Sequence, residues 1–200
     1  MLKTTGILNE ELKNYANPGA VIRRMTDSGQ LIKVRHGLYE TDSELPGICL
    51  AVHIYGPSYL SFDFALAYYG LIPEAVTRYT CASFRKHKSK EYHTPFGIFS
   101  YRDVPETAYP WGIDFHTENG YPYLIASPEK ALCDKLYIVS PRKNRSEMET
   151  LLFEDLRIDR GDFQNLDFAE LMQLSSLYQT VSHRVFRSFI QKELMHGRNH

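Results

Sequence analysis

Cysteine is scarce in this chain: Cys49, Cys81 and Cys133 are odd in number, far apart and set among apolar neighbours. That argues against a disulfide framework or a zinc knuckle and leaves three buried structural thiols. Long hydrophobic runs are missing too. No stretch approaches the roughly 20 apolar residues that cross a bilayer, and the N-terminus lacks the basic, apolar and small-residue succession of a secretory leader. A cytoplasmic protein without membrane contact is expected. Nor is there an excess of charge of one sign: 23 basic and 24 acidic residues leave a net charge of -1, so attraction to nucleic acid must come from a local patch. Apart from a lone pair at the C-terminal end, His196 and His200, the histidines show no His-x-x-x-His spacing, no glycine-rich phosphate loop is present, and no Asp is followed at strand distance by Glu-x-Lys. No metal, cofactor or enzymatic chemistry is therefore expected. What is present, a 43% hydrophobic content over 200 residues, is enough for a real core.

The first 40 residues carry clear punctuation. Leu8, Leu12 and Tyr15 fall on one helical stripe, with Asn9 as a candidate cap. Asn17 followed by Pro18 opens a second helix, with Asn at the cap and Pro at the first helical position. Val21, Ile22 and Met25 form its inner face, Arg23 and Arg24 lie near its outer face, and Gly29 ends it. Leu31 to Arg35 then alternates apolar and basic side chains, His36 and Gly37 make a turn, and Leu38 and Tyr39 return, which predicts a basic hairpin. Two helices followed by such a hairpin suggest a small winged helix-turn-helix over residues 1–45.

An acidic, proline- and glycine-bearing segment at 41–47 suggests a linker. Residues 46–200 then read as a mixed α/β (α+β) domain with a helical C-terminus. A helix is predicted over 61–69, capped by Ser61, packed through Phe64, Ala65 and Tyr68, and stopped by Gly70. Strands are predicted at 78–82, 98–102, 113–117 and 121–126. Ser127, Pro128 and Glu129 open a helix running to about Ile138, and further helices are expected near 146–155, 168–174 and 178–195.

With these elements laid out, the chain resembles the AbiEi family of antitoxins from type IV abortive-infection toxin-antitoxin systems. The matching stretches are GQLIKVRHGLY at 29–39, GPSYLS at 56–61, Ala65 and Leu66, YGLIPE at 69–74 and ASPEKALCDK at 126–135. Their order and spacing extend from about residue 7 to 140. The resemblance implies an N-terminal winged helix that binds inverted repeats in its own promoter. It also implies a C-terminal domain opposing a nucleotidyltransferase-like toxin without forming a tight complex. Family winged helices usually carry a helix ahead of the helix-turn-helix pair; here about eight residues precede Asn9, so that support is expected to be missing or supplied by the C-terminal domain.

Candidate DNA-binding residues follow from this layout. A recognition helix reads bases with its N-terminal turns, so Asn17, Gly19, Ala20 and Arg23 would face the major groove. Arg24, Lys33, Arg35 and His36 would reach phosphate or the adjacent minor groove. A second basic run, Arg85, Lys86, His87, Lys88 and Lys90, reads either as a phosphate- or toxin-related patch or as a solvated hairpin tip. Arg142, Lys143 and Arg145 read as solvated. Lys130 and Asp134 are i,i+4 neighbours and read as an ordinary surface ion pair of about 0.3–0.5 kcal/mol. Two other functions stand beside the repressor-antitoxin reading: a divergent metal-dependent nuclease, and a protein-interaction module with a degenerate winged helix.

Overall fold

The computed structural model describes residues 1–197. Near the N-terminus, strands β1 (Lys3–Thr4), β2 (Ile32–Arg35) and β3 (Leu38–Glu40) form an antiparallel sheet in the order β1-β3-β2. Helices α1 (Thr5–Glu11) and α2 (Pro18–Asp27) lie between β1 and β2 in the chain. The expected Asn9 cap is corrected: Asn9 lies inside α1. Pairing of Lys3 with Tyr39 holds Thr4 extended, and its hydroxyl accepts a hydrogen bond from the Ile7 amide at 3.3 Å. Because the helix ends at Glu11, Tyr15 falls beyond it and stays 54% exposed rather than joining the apolar stripe. The start and end of α2 follow expectation. Asn17 Oδ1 accepts from the Ala20 amide at 3.1 Å, Pro18 occupies the first turn, and Gly29 takes the left-handed conformation (φ +76°) that a helix stop requires.

Two hydrophobic clusters result. Leu8, Ile22 and Leu31 form a small one, with Leu12, Met25 and Tyr39 packed against it. Val34 and Leu38, on the same three-stranded sheet, belong instead to the main core together with Leu45. The segment expected to be a linker is thus exposed only over residues 41–44; Leu45 and Gly47 are buried. Fully buried Glu40 ties this junction. Its carboxylate accepts from the amides of Thr41 at 2.7 Å and Asp42 at 3.1 Å, from the Tyr121 hydroxyl at 3.3 Å, and from the Met1 amino group.

A 3-10 turn (Gly47–Leu50) leads into α3 (Ala51–Ile54), and a mixed six-stranded sheet follows, in the order β6-β7-β5-β4-β9-β8. Its strands are β4 (Ser58–Leu60), β5 (Arg78–Ser83), β6 (Lys90–Thr94), β7 (Gly97–Asp103), β8 (Ile113–Glu118) and β9 (Tyr121–Ala126). β4 pairs parallel to β9 and β5 parallel to β7; the remaining pairs are antiparallel. The four predicted strands are all present. β4 and β6 were not predicted, β4 because it is only three residues long and β6 because its lysine, glutamate and histidine mask the alternation.

Helices α4 (Phe62–Tyr68), α5 (Pro128–Ile138), α6 (Arg145–Thr150), α7 (Arg160–Gln164), α8 (Phe168–Ser176) and α9 (Val181–Gly197) complete the described chain, with a π-helical turn at Leu151–Asp155 after α6. No helix among the described residues is long and apolar enough to cross a membrane. α5 contacts α4, α8, α9 and β9, and its opening is as predicted: Ser127 Oγ accepts from the Lys130 amide at 3.1 Å. In α4 the packing residues are Phe62, Ala65 and Leu66; Tyr68, expected to pack, is 47% exposed. All three cysteines are buried and unpaired. Burial pushes the Cys49 thiol up to about 11 and those of Cys81 and Cys133 higher still, so they stay protonated structural groups.

Candidate functional site

The α2 face is built from its punctuation outward. Ile22 turns inward onto Leu8 and Leu31, which leaves Asn17, Gly19, Ala20, Arg23 and Arg24 exposed on the other side. Asn17 has a structural duty as well, since its carbonyl oxygen caps the helix. Arg23 is 87% exposed and 3.9 Å from Asp27, a contact too loose and too solvated to neutralise it. On the hairpin, Lys33, Arg35 and His36 are all exposed. Arg35 is turned toward the six-stranded sheet. Its guanidinium donates to the His36 carbonyl at 3.0 Å, and its charge opposes the upward push that burial gives the Tyr92 and Tyr101 hydroxyls. α2 and the hairpin thus each carry exposed basic side chains, with Arg35 directed toward Tyr92 and Tyr101.

The run 85–90 is not a hairpin tip. It joins β5 to β6, which are separated in the sheet by β7, so it crosses over the sheet end instead of reversing between neighbours. Asp103 pins it: Oδ2 accepts from the amides of Lys86 at 2.7 Å and His87 at 2.6 Å, while Oδ1 accepts from Ser83 Oγ at 2.6 Å. Arg85 pairs with Glu106. Lys86 donates to the Gly56 carbonyl at 2.8 Å and lies 4.9 Å from the Tyr55 ring centre. Two of the five expected phosphate contacts are thus occupied with structural work, and His87, Lys88 and Lys90 remain exposed. Arg142 and Arg145 are likewise engaged, with Asp155 at 2.9 Å and Glu193 at 2.8 Å.

Lys130 and Asp134 overturn the surface-pair expectation. Both side chains are fully buried, 3.0 Å apart. Lys130 Nζ also donates to the Ala108 carbonyl at 2.9 Å and the Tyr178 hydroxyl at 2.5 Å. Asp134 Oδ1 accepts from Lys130 and Tyr178, and Oδ2 from Tyr59 at 2.9 Å and Ser61 at 2.7 Å. Burial first, and then the Asp134 charge, raise the Tyr59 and Tyr178 hydroxyls well above their ordinary value, so both remain proton donors. Ser61 spends its hydroxyl here and does not cap α4. Beside this network His183 stacks on Tyr178 with ring centres 4.2 Å apart. Its Nε2 sits 3.0 Å from the Cys133 carbonyl and its Nδ1 2.7 Å from Thr180 Oγ1. The Cys133 carbonyl accepts a hydrogen bond from Nε2, and because burial lowers the ring's pKa to about 4, the neutral ring accepts at Nδ1 from the Thr180 hydroxyl.

The sequence signal was partial: Ala131, Leu132, Cys133 and Leu136 mark about half of the α5 circumference as apolar, and Lys130 and Asp134 fall outside that half. The partners Tyr59, Ser61 and Tyr178 lie 44 to 75 residues away in sequence, and only the fold brings them together. In comparisons with known proteins, no family model matches the chain, and no curated protein matches it significantly.

Proposed function

We propose that this chain is a cytoplasmic DNA-binding autorepressor and antitoxin of the AbiEi type, with residues 1–45 serving as a winged helix-turn-helix and residues 46–200 as the antitoxin domain. In this reading it carries out no chemistry of its own, binds an inverted repeat in its promoter, and opposes a nucleotidyltransferase-like toxin without a tight complex. The observation that carries the DNA-binding half is the face of α2. Its first turns hold two side chains no larger than a methyl group, Gly19 and Ala20, flanked by Arg23 and Arg24, and all four are exposed while Ile22 anchors the opposite side. Small residues allow a groove wall to come close, and the arginines supply bidentate donors for base edges or phosphate. Lys33 and His36, exposed on the hairpin, would serve as the basic residues of a wing.

A gel shift of the purified protein against its own upstream region, beside a scrambled control, tests the reading. Specific retardation that weakens steeply with salt is expected, because phosphate contacts dominate affinity. Replacing Arg23 and Arg24 together by alanine abolishes it while leaving unfolding stability within about 0.5 kcal/mol, as for exposed sites generally. Retardation by the double variant equal to that of the parent at matched salt defeats the assignment of α2. The antitoxin half is tested by co-expression with an adjacent nucleotidyltransferase gene product, where rescue of growth is the expected result.

A further inference from the structure

On one side of the six-stranded sheet lies a cleft that the preceding reading leaves unused. Register defines which side. Tyr59, Ala82 and Arg102 are aligned across β4, β5 and β7, and Tyr59 reaches Asp134 of α5, so these positions face α5. Tyr101, one residue along, faces the opposite side, where its hydroxyl donates to the Ala51 carbonyl of α3. Arg78, Thr80 and Ser100, which alternate in step with Arg102, share the α5 side, as does Glu91 opposite Ser100. Where α5 no longer covers them, these side chains line a cleft of about 500 Å³, closed along the other flank by Asp63, Lys135, Ile138 and Val139.

The charges in this cleft are unequal. Asp63 is held by Lys135 at 2.6 Å and Glu91 by Arg78, so both acids are already matched. Arg102 makes no ion pair or side-chain hydrogen bond among the described residues, which leaves the cleft with a surplus of positive charge. Phe62 also lines the cleft, a buried non-glycine residue held at φ 55°, a backbone state that costs on the order of 1 kcal/mol and concentrates at functional sites. Half-buried Ile138 and Val139 add an apolar wall. The space exceeds what a lone phosphate needs and falls within the ordinary range of small-molecule pockets.

We infer that this cleft binds a nucleoside phosphate, with the phosphates on Arg102 and Lys135 and the nucleoside against Ile138 and Val139. Arg102 offers a planar fork suited to phosphate oxygens. A phosphate entering beside Lys135 competes with Asp63 for the same ammonium, and since its attraction to Arg102 and Lys135 is screened by ions in an open cleft, affinity falls as salt rises. The inference does not depend on the role of residues 1–45.

Titration calorimetry of the full chain with ADP tests it, with pyrophosphate and adenosine as separate probes. One saturable ADP site is expected, with Arg102→Ala weakening it about tenfold or more, the loss that follows removal of a charge-assisted hydrogen bond. Arg23→Ala with Arg24→Ala leaves ADP binding unchanged. Far-UV circular dichroism confirms that the Arg102 variant is folded, as its exposed position predicts. Three results each overturn the inference: no saturable ADP binding at millimolar concentration, ADP binding indifferent to Arg102→Ala, or binding of a single-stranded RNA oligonucleotide at this cleft with none of ADP. Pyrophosphate binding as tightly as ADP overturns the role given to the apolar wall.

Discussion

Residues 1–40 and the core around α5 solve opposite problems with the same kinds of residue. In the first region three small-core side chains, Leu8, Ile22 and Leu31, hold two helices whose arginines all point to water. In the second, a lysine and an aspartate are drawn wholly inside and matched donor to acceptor. A small core supplies little stability alone, and the first region leans on the second through Val34, Leu38 and Glu40. Such an arrangement leaves the exposed charges free for a partner, whereas the buried charges are confined to organising the fold. Charge in a sequence therefore says little about role until burial is known.

The sharpest way to break this contrast is Asp134→Ala. Four donors lose their acceptor at once, and a cost of about 3–5 kcal/mol is expected in denaturant unfolding. A cost no larger than that of an exposed substitution would show the network to be dispensable. Next comes acid. His183 is neutral in the fold with its pKa lowered to about 4 from 6.5, so the unfolded chain binds the extra proton between those values. Stability should decline as pH falls from about 6.5 to about 4, by on the order of 3 kcal/mol, and this part of the decline should vanish in His183→Gln. A pH profile of unfolding unaltered by that substitution would remove His183 from the account.

Leu8→Ala sharpens the comparison from the other side. Its neighbours Leu12 and Met25 are half-buried and able to close the gap, so the cost falls at the low end for leucine, about 2 kcal/mol. Amide exchange should show the loss confined to α1, α2 and the hairpin; uniform loss across the six-stranded sheet would mean that the two regions unfold as one. Smallest is Asn17→Ala, about 1 kcal/mol for a lost helix cap, read as faster exchange at the Ala20 amide and weaker operator retardation.

Local chemistry was legible from the residues alone. The Asn17-Pro18 and Ser127-Pro128 openings, the Gly29 and Gly70 stops and the hairpin turn at Gly37 are each set by one or two residues, and the structure has them where the pattern predicts. The Thr4 cap was missed because it depends on β1 pairing with β3, where Thr4 lies opposite Leu38, far along the chain. The basic run at 85–90 misled for a related reason: its partners come from two other segments, Asp103 and Glu106 at the end of β7 and the Gly56 carbonyl ahead of β4.

By itself, then, the sequence determined where α2 and α5 begin, where α2 and α4 stop, which face of α2 is apolar, and that its arginines would point outward, because these depend on backbone preferences and helical period within a few residues. Only the tertiary structure decided that Lys130 and Asp134 lie buried, that Tyr59, Ser61 and Tyr178 converge on them, and that Arg78, Arg102 and Lys135 share a cleft. Desolvation and pairing are properties of what surrounds a side chain, and those surroundings are assembled from strands and helices that lie far apart along the chain.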